Sequence, residues 1–197
     1  MPSTKNSGPG IIWYTRQKTA MAKSSVKQIE QDEKRILEEL IKNANKSIND
    51  IAKTCGFSRQ KVWRVINNLE KNHTIWGYVA VVDEEKLDKK SYIILMKRTN
   101  KPISQEFIND IIKRKLPERG KKIGIEMINS MFTHGVYDWV IFFNAIDIIS
   151  AKAFVEEINK LFEGFASDIQ LIEKMFCAVS CGITNPEIEK LNEFFKI

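Results

Sequence analysis

Histidine is scarce in this 197-residue chain, with two copies, and cysteine occurs three times, at Cys55, Cys177 and Cys181. An odd cysteine count without paired spacing or a companion histidine cluster argues against both a disulfide framework and a zinc module. Cys177 and Cys181 fall in a stretch that reads as strand, where four residues span about 13 Å, too far for a bridge. They are expected to be small core residues. No apolar run approaches the roughly 18 to 20 residues of a membrane-spanning helix, and the N-terminus lacks the basic, apolar, small-residue order of a signal peptide. A cytoplasmic protein without a membrane partner is the expectation. No paired-carboxylate, nucleophile or phosphate-loop motif stands out, so no catalytic residue, metal or cofactor is expected.

What is present is enough apolar side chain, 43% of residues, to build one or two cores. The formal charge of +6 is unevenly placed: residues 1–90 hold seventeen Lys and Arg against eleven Asp and Glu, and residues 91–197 hold fourteen of each. A front end that meets a polyanion and a back end with another task fit that segregation.

Residues 1–30 read as a basic extension, with Gly8-Pro9-Gly10 punctuation, five bases and no sustained helical period. It is either an arm that tracks phosphates or a solvated tail. Ile11, Ile12, Trp13 and Tyr14 form an apolar knot within it. From Asp32 the apolar residues Ile36, Leu37, Leu40 and Ile41 predict a first helix over about 32–43. Ser47, with Asp50 three residues on, caps a short second helix. Gly56 supplies a left-handed turn after Cys55, and Ser58 caps a third helix running to about Asn72. Short helix, glycine turn and capped longer helix is helix-turn-helix order.

Helical angles test the third helix. At 100° per residue from Gln60, the apolar Val62, Val65, Ile66 and Leu69 lie between about 140° and 240°. Gln60, Trp63, Arg64, Asn67 and Lys71 lie within about 60° of zero. The second group offers the amide, guanidinium, aromatic and ammonium chemistry that reads base edges and grips phosphate. Beyond it, Val79 to Val82 reads as a short apolar strand, a wing or arm that needs a pairing partner, followed by a charged linker.

The second half reads strand, helix, strand, strand, helix, strand, the βαββαβ pattern of a ferredoxin-like fold, which makes the chain α+β. The strands are Tyr92–Met96, an alternating run through Ile123, Ile125 and Met127, Trp139–Phe143, and Ile169–Val179. Ser104 is expected to cap a helix with Phe107, Ile108, Ile111, Ile112 and Leu116 on one face, and Ser150 a helix with Phe154, Val155, Ile158, Leu161 and Phe162. Both helices cover one sheet face, yet the central strands are apolar on both. A second copy of the chain is the economical cover, and a homodimer suits a pseudo-palindromic site on double-stranded DNA. Asn185, Pro186, Ile188, Leu191 and Phe195 predict a closing helix. The segments are thus the extension (1–30), the helix-turn-helix domain (31–77), a connecting strand and linker (78–90), the ferredoxin-like domain (91–182) and a C-terminal helix (183–197).

Asp32-Glu33-Lys34-Arg35-Ile36-Leu37, Ile51-Ala52 before Gly56-Phe57-Ser58, Leu69-Glu70, Ile75-Trp76-Gly77-Tyr78 and Gly135-Val136-Tyr137-Asp138, in that order and spacing, resemble the Lrp/AsnC family of feast/famine transcription regulators across about residues 31–182. The resemblance implies a winged helix-turn-helix domain binding DNA through Ser58, Arg59, Gln60, Lys61, Trp63, Arg64, Asn67 and Lys71. It implies a ferredoxin-like regulatory (RAM) domain that forms dimers, tetramers or octamers. It also implies an amino-acid or related effector beside the loop of Thr133, His134, Gly135, Val136, Tyr137 and Asp138, where Gly135 admits the ligand close to backbone and Asp138 meets an ammonium group. The other reading of that loop is a hairpin made by Gly135 and capped by Asp138. Members of the family often carry arginines where this chain has Val65, Asn67 and Asn68, which shifts weight to Arg59, Lys61, Arg64 or the N-terminal arm. They usually end the helix with glycine where this chain has His73, so Asn72 is expected to take the left-handed position. An acid often stands where this chain has Val136.

Two further readings stay open. Siroheme-type decarboxylases are similar to this family in architecture, but they need histidines and bases around a tetrapyrrole, whereas His73 falls at a helix end and His134 in a turn. A dimerising sensor whose helix-turn-helix contacts protein, with Trp63 as an apolar anchor, is the other.

Overall fold

A computed structural model describes the backbone of residues 10–195 and the side chains from Val26 onward. Lys5, Gly8 and Pro9 of the extension, the side chains of its Ile11 to Tyr14 knot and the last two residues therefore lie outside the described residues. The chain divides into two compact units between Ala80 and Val81.

In the first unit, α1 runs from Gly10 to Lys42, α2 from Ile48 to Cys55 and α3 from Arg59 to Lys71. Ile36, Leu40, Ile51, Ala52, Cys55, Val62, Val65 and Leu69 close on one another as the core. Each fully buried Ile, Leu or Val among them contributes about 1.5–3 kcal/mol. The sequence placed the start of the first helix near Asp32, but α1 begins 22 residues earlier. Ser and Thr interrupt the apolar stripe there, yet from Ile11 to Lys42 there is neither glycine nor proline, and intrinsic propensity continues the helix. Cys55 is buried.

The C-terminal end of α1 is tied down by charge. Glu39, nearly buried, accepts from Lys46 Nζ at 2.5 Å and Lys42 Nζ at 2.9 Å, and Lys46 also donates to Thr54 Oγ1 of α2 at 3.0 Å. The Lys46 hydrogen bond, then that of Lys42, pulls the Glu39 carboxyl down to about 2. A carboxylate held below its unfolded value stabilises the fold above the unfolded pKa and loses that contribution as pH falls through the folded one. Replacing Glu39 with glutamine should thus lower stability at neutral pH, and the deficit should shrink as pH falls from about 4.5 to about 2, the ordinary and folded values. Denaturant titrations of both chains across this range check it; a deficit independent of pH would refute the assignment.

The second unit is a four-stranded antiparallel sheet of order β2-β3-β1-β4, with β1 at Lys90–Arg98, β2 at Glu126–Phe132, β3 at Trp139–Ala145 and β4 at Ala166–Glu173. Helices α4 (Gln105–Ile112), α5 (Lys115–Lys122) and α6 (Ile148–Leu161) supply the cover. Tyr92, Ile94 and Met96 of β1 and Trp139, Ile141 and Phe143 of β3 are buried with Leu116, Phe154 and Ile158 of the helices. Gly120 lets α5 approach, since a Cβ there would stand 3.2 Å from Phe154 and 3.3 Å from Ile125. This is the expected βαββαβ order.

Several expected boundaries move for identifiable reasons. The Ser104-capped helix does not reach Leu116: it ends at Ile112, which faces solvent, and restarts at Lys115 after Arg114 in the left-handed conformation (φ 56°). Pro117 lacks an N–H and its ring would clash with the Lys113 carbonyl, so one continuous helix cannot pass through it. Ser150 is not the cap of α6; Asp147 is, its Oδ1 accepting from the Ser150 N–H at 2.7 Å. Ile123 and Ile125 precede β2, whose register shifts between Met127 and Asn129. The last sheet strand stops at Glu173, and Val179 belongs to a separate hairpin of β5 (Val179–Ser180) and β6 (Ile183–Thr184). Cys181 is exposed in its turn at φ 48° and Cys177 is half-buried, so neither is a core residue. Pro186 falls in a turn, and the closing helix shrinks to a 3-10 turn at Ile188–Lys190 and α7 at Leu191–Phe194. Val79 to Val82 is no strand: no neighbouring strand pairs with it, and all three valines are exposed.

Candidate nucleic-acid interface

The turn between α2 and α3 is built by three local devices. The Ser47 hydroxyl accepts from the Asp50 N–H at 3.2 Å and opens α2. Gly56 sits at φ 67°, a conformation that a side chain makes costly, and the Phe57 N–H returns to the Ala52 carbonyl at 2.9 Å. Ser58 Oγ accepts from the Lys61 N–H at 3.2 Å and opens α3. Val62, Val65 and Leu69 then point into the core.

The opposite stripe of α3 faces solvent, as the angles required. Arg59, Gln60, Trp63, Arg64 and Lys71 are exposed, Trp63 by 59%, and Asn67 is half-buried. Ser58 is exposed too, but its oxygen is occupied by the cap. Lys61 departs from the reading set: its ammonium lies 2.5 Å from Asp32 of α1 and 4.0 Å from the centre of the Phe57 ring. Arg35 approaches the same ring at 4.9 Å. The Lys61 hydrogen bond, followed by that of Gln28, keeps the Asp32 carboxyl below the usual range. Lys61 thus joins α1 to α3 rather than standing free. Asp32 and Lys61 are 29 residues apart, a pairing that no local spacing announces.

At the far end of α3 the left-handed residue is His73 (φ 61°), not Asn72, which stays near φ −88°. Beyond it, Tyr78 donates to Glu70 Oε1 at 3.0 Å and folds the segment back toward the helix. Trp76 is 95% exposed there. The sequence reading did not single out Trp76 as a site residue; its only signal was an indole in a segment too short to bury it.

The expected effector loop, between β2 and β3, is ordered from within. Thr133 Oγ1 donates to the Tyr137 carbonyl at 2.6 Å, and its N–H to the Asp138 carbonyl at 2.9 Å. Asp138 is engaged by Arg98, accepting from the backbone N–H at 2.9 Å and lying 3.3 Å from the side-chain Nε. Tyr137 donates to Gln170 at 3.0 Å. His134, Gly135 and Val136 stand in solvent, and a Cβ on Gly135 would meet nothing within 4 Å. Within one copy, then, Asp138 closes the hairpin on Arg98 and is not a free counter-charge. Among the described residues no group of three His, Cys, Asp or Glu could hold a metal ion, and no helix is long and apolar enough to cross a membrane.

Residues 33–75, which contain α2, α3 and the C-terminal part of α1, match the winged helix-turn-helix DNA-binding family. A helical unit followed in the chain by a four-stranded sheet unit recurs in solved structures. An AsnC family transcriptional regulator from Agrobacterium tumefaciens is 21% identical, with a TM-score of 0.56 over 76% of this chain and 92% of that one. This is the Lrp/AsnC fold. LrpC of Bacillus subtilis shares it at 19% identity and TM-score 0.53, covering 74% of this chain and 94% of its own. So does a feast or famine regulatory protein from Mycobacterium tuberculosis, solved with L-methionine, at 15% identity and TM-score 0.58, covering 77% of this chain and 95% of that one. A search of curated proteins finds no match.

Proposed function

We propose that the chain is a sequence-specific, DNA-binding transcription regulator of the Lrp/AsnC type that works as a dimer or a larger assembly. The observation that carries this reading is the division of α3 into a buried apolar seam and an exposed stripe of Arg59, Gln60, Trp63, Arg64 and Lys71. Such a stripe can enter a major groove, where arginine pairs with guanine and glutamine with adenine. The excess positive charge of the first 90 residues supplies the sequence-independent attraction.

Assembly is supported by the sheet face that the helices leave open. By register, Ile93 and Leu95 of β1 pair with Phe142 and Val140 of β3, and Ile93 with Ile172 of β4. These side chains alternate with the buried ones and are only partly covered within one copy. An apolar face of this kind is stable against a second like it, which would pair two α3 helices for a two-fold operator. The reading extends to an amino-acid effector at Thr133 to Asp138. Two similar proteins, from Mycobacterium tuberculosis and Neisseria meningitidis, are L-methionine complexes. Calorimetric titration with amino acids tests that part, and no heat from any of them would remove it.

The DNA reading is tested by footprinting and by binding titrations at several salt concentrations. Regulation predicts a protected site and a steep fall of affinity with salt; a helix-turn-helix that contacts protein predicts neither. Replacing Arg64 with alanine should weaken operator binding by about 1–3 kcal/mol and relax preference at one base position. Equal weakening on every sequence would make Arg64 a phosphate contact instead.

A further inference from the structure

We infer that the extension of α1 that precedes Asp32 is a second DNA-contacting element, lying along the phosphates that flank the site read by α3. This rests on the DNA-binding reading above and adds a surface to it.

Residues 1–29 carry Lys5, Arg16, Lys18, Lys23 and Lys27 and no acid. From Gly10 onward these charges are carried on a helix. Arg16, Lys23, Lys27 and Lys34 follow one another at intervals of seven, four and seven residues, which at 100° per residue places all four positions within about 40° of one line. Lys27 and Lys34 are exposed, as is every residue from Val26 to Gln31.

The place where this rod joins the bundle gives it a partner. Asp32 is held by Lys61 in the first turn of α3 at 2.5 Å, and Arg35 and Lys61 share the ring of Phe57 in the turn before it. The rod therefore departs beside the N-terminal end of α3, the end whose side chains meet base edges in helix-turn-helix complexes. From Gly10 to Gln31 it is about 33 Å long at 1.5 Å per residue, close to one turn of duplex at roughly 34–36 Å. A duplex offers one negative charge per roughly 1.7 Å along its axis, and an acid-free cationic rod next to the reading helix matches it. A basic helix also suits an anionic membrane surface. Its junction with α3 favours the duplex.

The test uses the full chain and a variant in which Arg16, Lys23 and Lys27 are each replaced by glutamine, which keeps the helix former and removes the charge. Probes are a fluorescent duplex of about 40 base pairs selected in vitro with the wild-type chain, its scrambled counterpart, and phosphatidylserine vesicles. The log-log salt slope should fall in magnitude by about two to three per bound chain, and affinity at about 0.1 M salt should fall at least roughly tenfold. The preference for selected over scrambled duplex should hold within about twofold, because phosphate contacts carry no sequence information. An unchanged slope in a variant of unchanged helicity overturns the inference and leaves the α3 reading intact. Loss of vesicle association with an unchanged slope also overturns it, assigning the extension to membranes. A wild-type chain that ignores every duplex defeats the α3 reading and this one with it.

Discussion

Replacing Ile93 with glutamate should convert the proposed dimer into a folded monomer and cut operator affinity by about a hundredfold or more, the order of gain that linking two binding modules supplies. Ile93 lies at the centre of the open sheet face, between Phe142 on β3 and Ile172 on β4. In one copy a glutamate there reaches water, and the core on the other face is untouched. Against a second sheet the same carboxylate would be buried without a partner, at a cost of several kcal/mol. The adjacent residue is the control. Ile94 is fully buried beneath the helices, so Ile94 to glutamate should unfold the unit rather than separate two of them. Sedimentation or light scattering, with circular dichroism as the check on folding, distinguishes the outcomes. If the Ile93 variant keeps the mass of the wild type, the open face is not a dimer surface.

That prediction starts from a feature legible in the residues alone, two apolar sheet faces of which the helices of this fold cover one. Runs such as Tyr92–Met96 and Trp139–Phe143 are apolar at every position, and only the register decides which half faces the helices. The helix-turn-helix was equally legible, since Ser47, Gly56 and Ser58 act through bonds to residues three to five positions away. What the sequence hid was of two kinds. The start of α1 was missed because periodicity was the criterion and propensity made the helix. The break at Arg114 was missed although Pro117 announced it, because the apolar spacing runs on from Phe107 to Leu116 as if nothing intervened. The second kind is tertiary. Lys61 is drawn to Asp32 and Asp138 to Arg98, and each pairing takes a charge from the site to which its residue type alone would assign it. Charges in candidate sites need their long-range partners before they are given roles.

The second large effect concerns the residue that closes the core at the loop end of the sheet. Trp139 is 1% exposed, and its ring meets Phe107, Phe132, Phe162 and Phe165 with centroids 4.9–6.1 Å apart, while its Nε1 donates to Ser130 Oγ at 2.9 Å. Replacement by alanine removes those contacts, leaves a cavity among four aromatic rings and frees the hydroxyl. Such truncations cost about 3–5 kcal/mol, a large share of the roughly 5–15 kcal/mol that stabilises a typical domain. Trp139 to phenylalanine keeps most of the ring contacts and loses the hydrogen bond, so it should cost less, about 1–2 kcal/mol. Denaturant titrations of both variants measure the two differences. The loop from Thr133 to Asp138 follows Phe132 directly and ends beside Trp139, so the alanine variant should also lose the order that Arg98 and Asp138 give the hairpin, seen as faster amide exchange at Thr133 and Asp138. If alanine costs no more than phenylalanine, the aromatic cluster is not what holds this end of the sheet. The candidate effector loop would then owe its shape to its own hydrogen bonds and the Arg98–Asp138 pair.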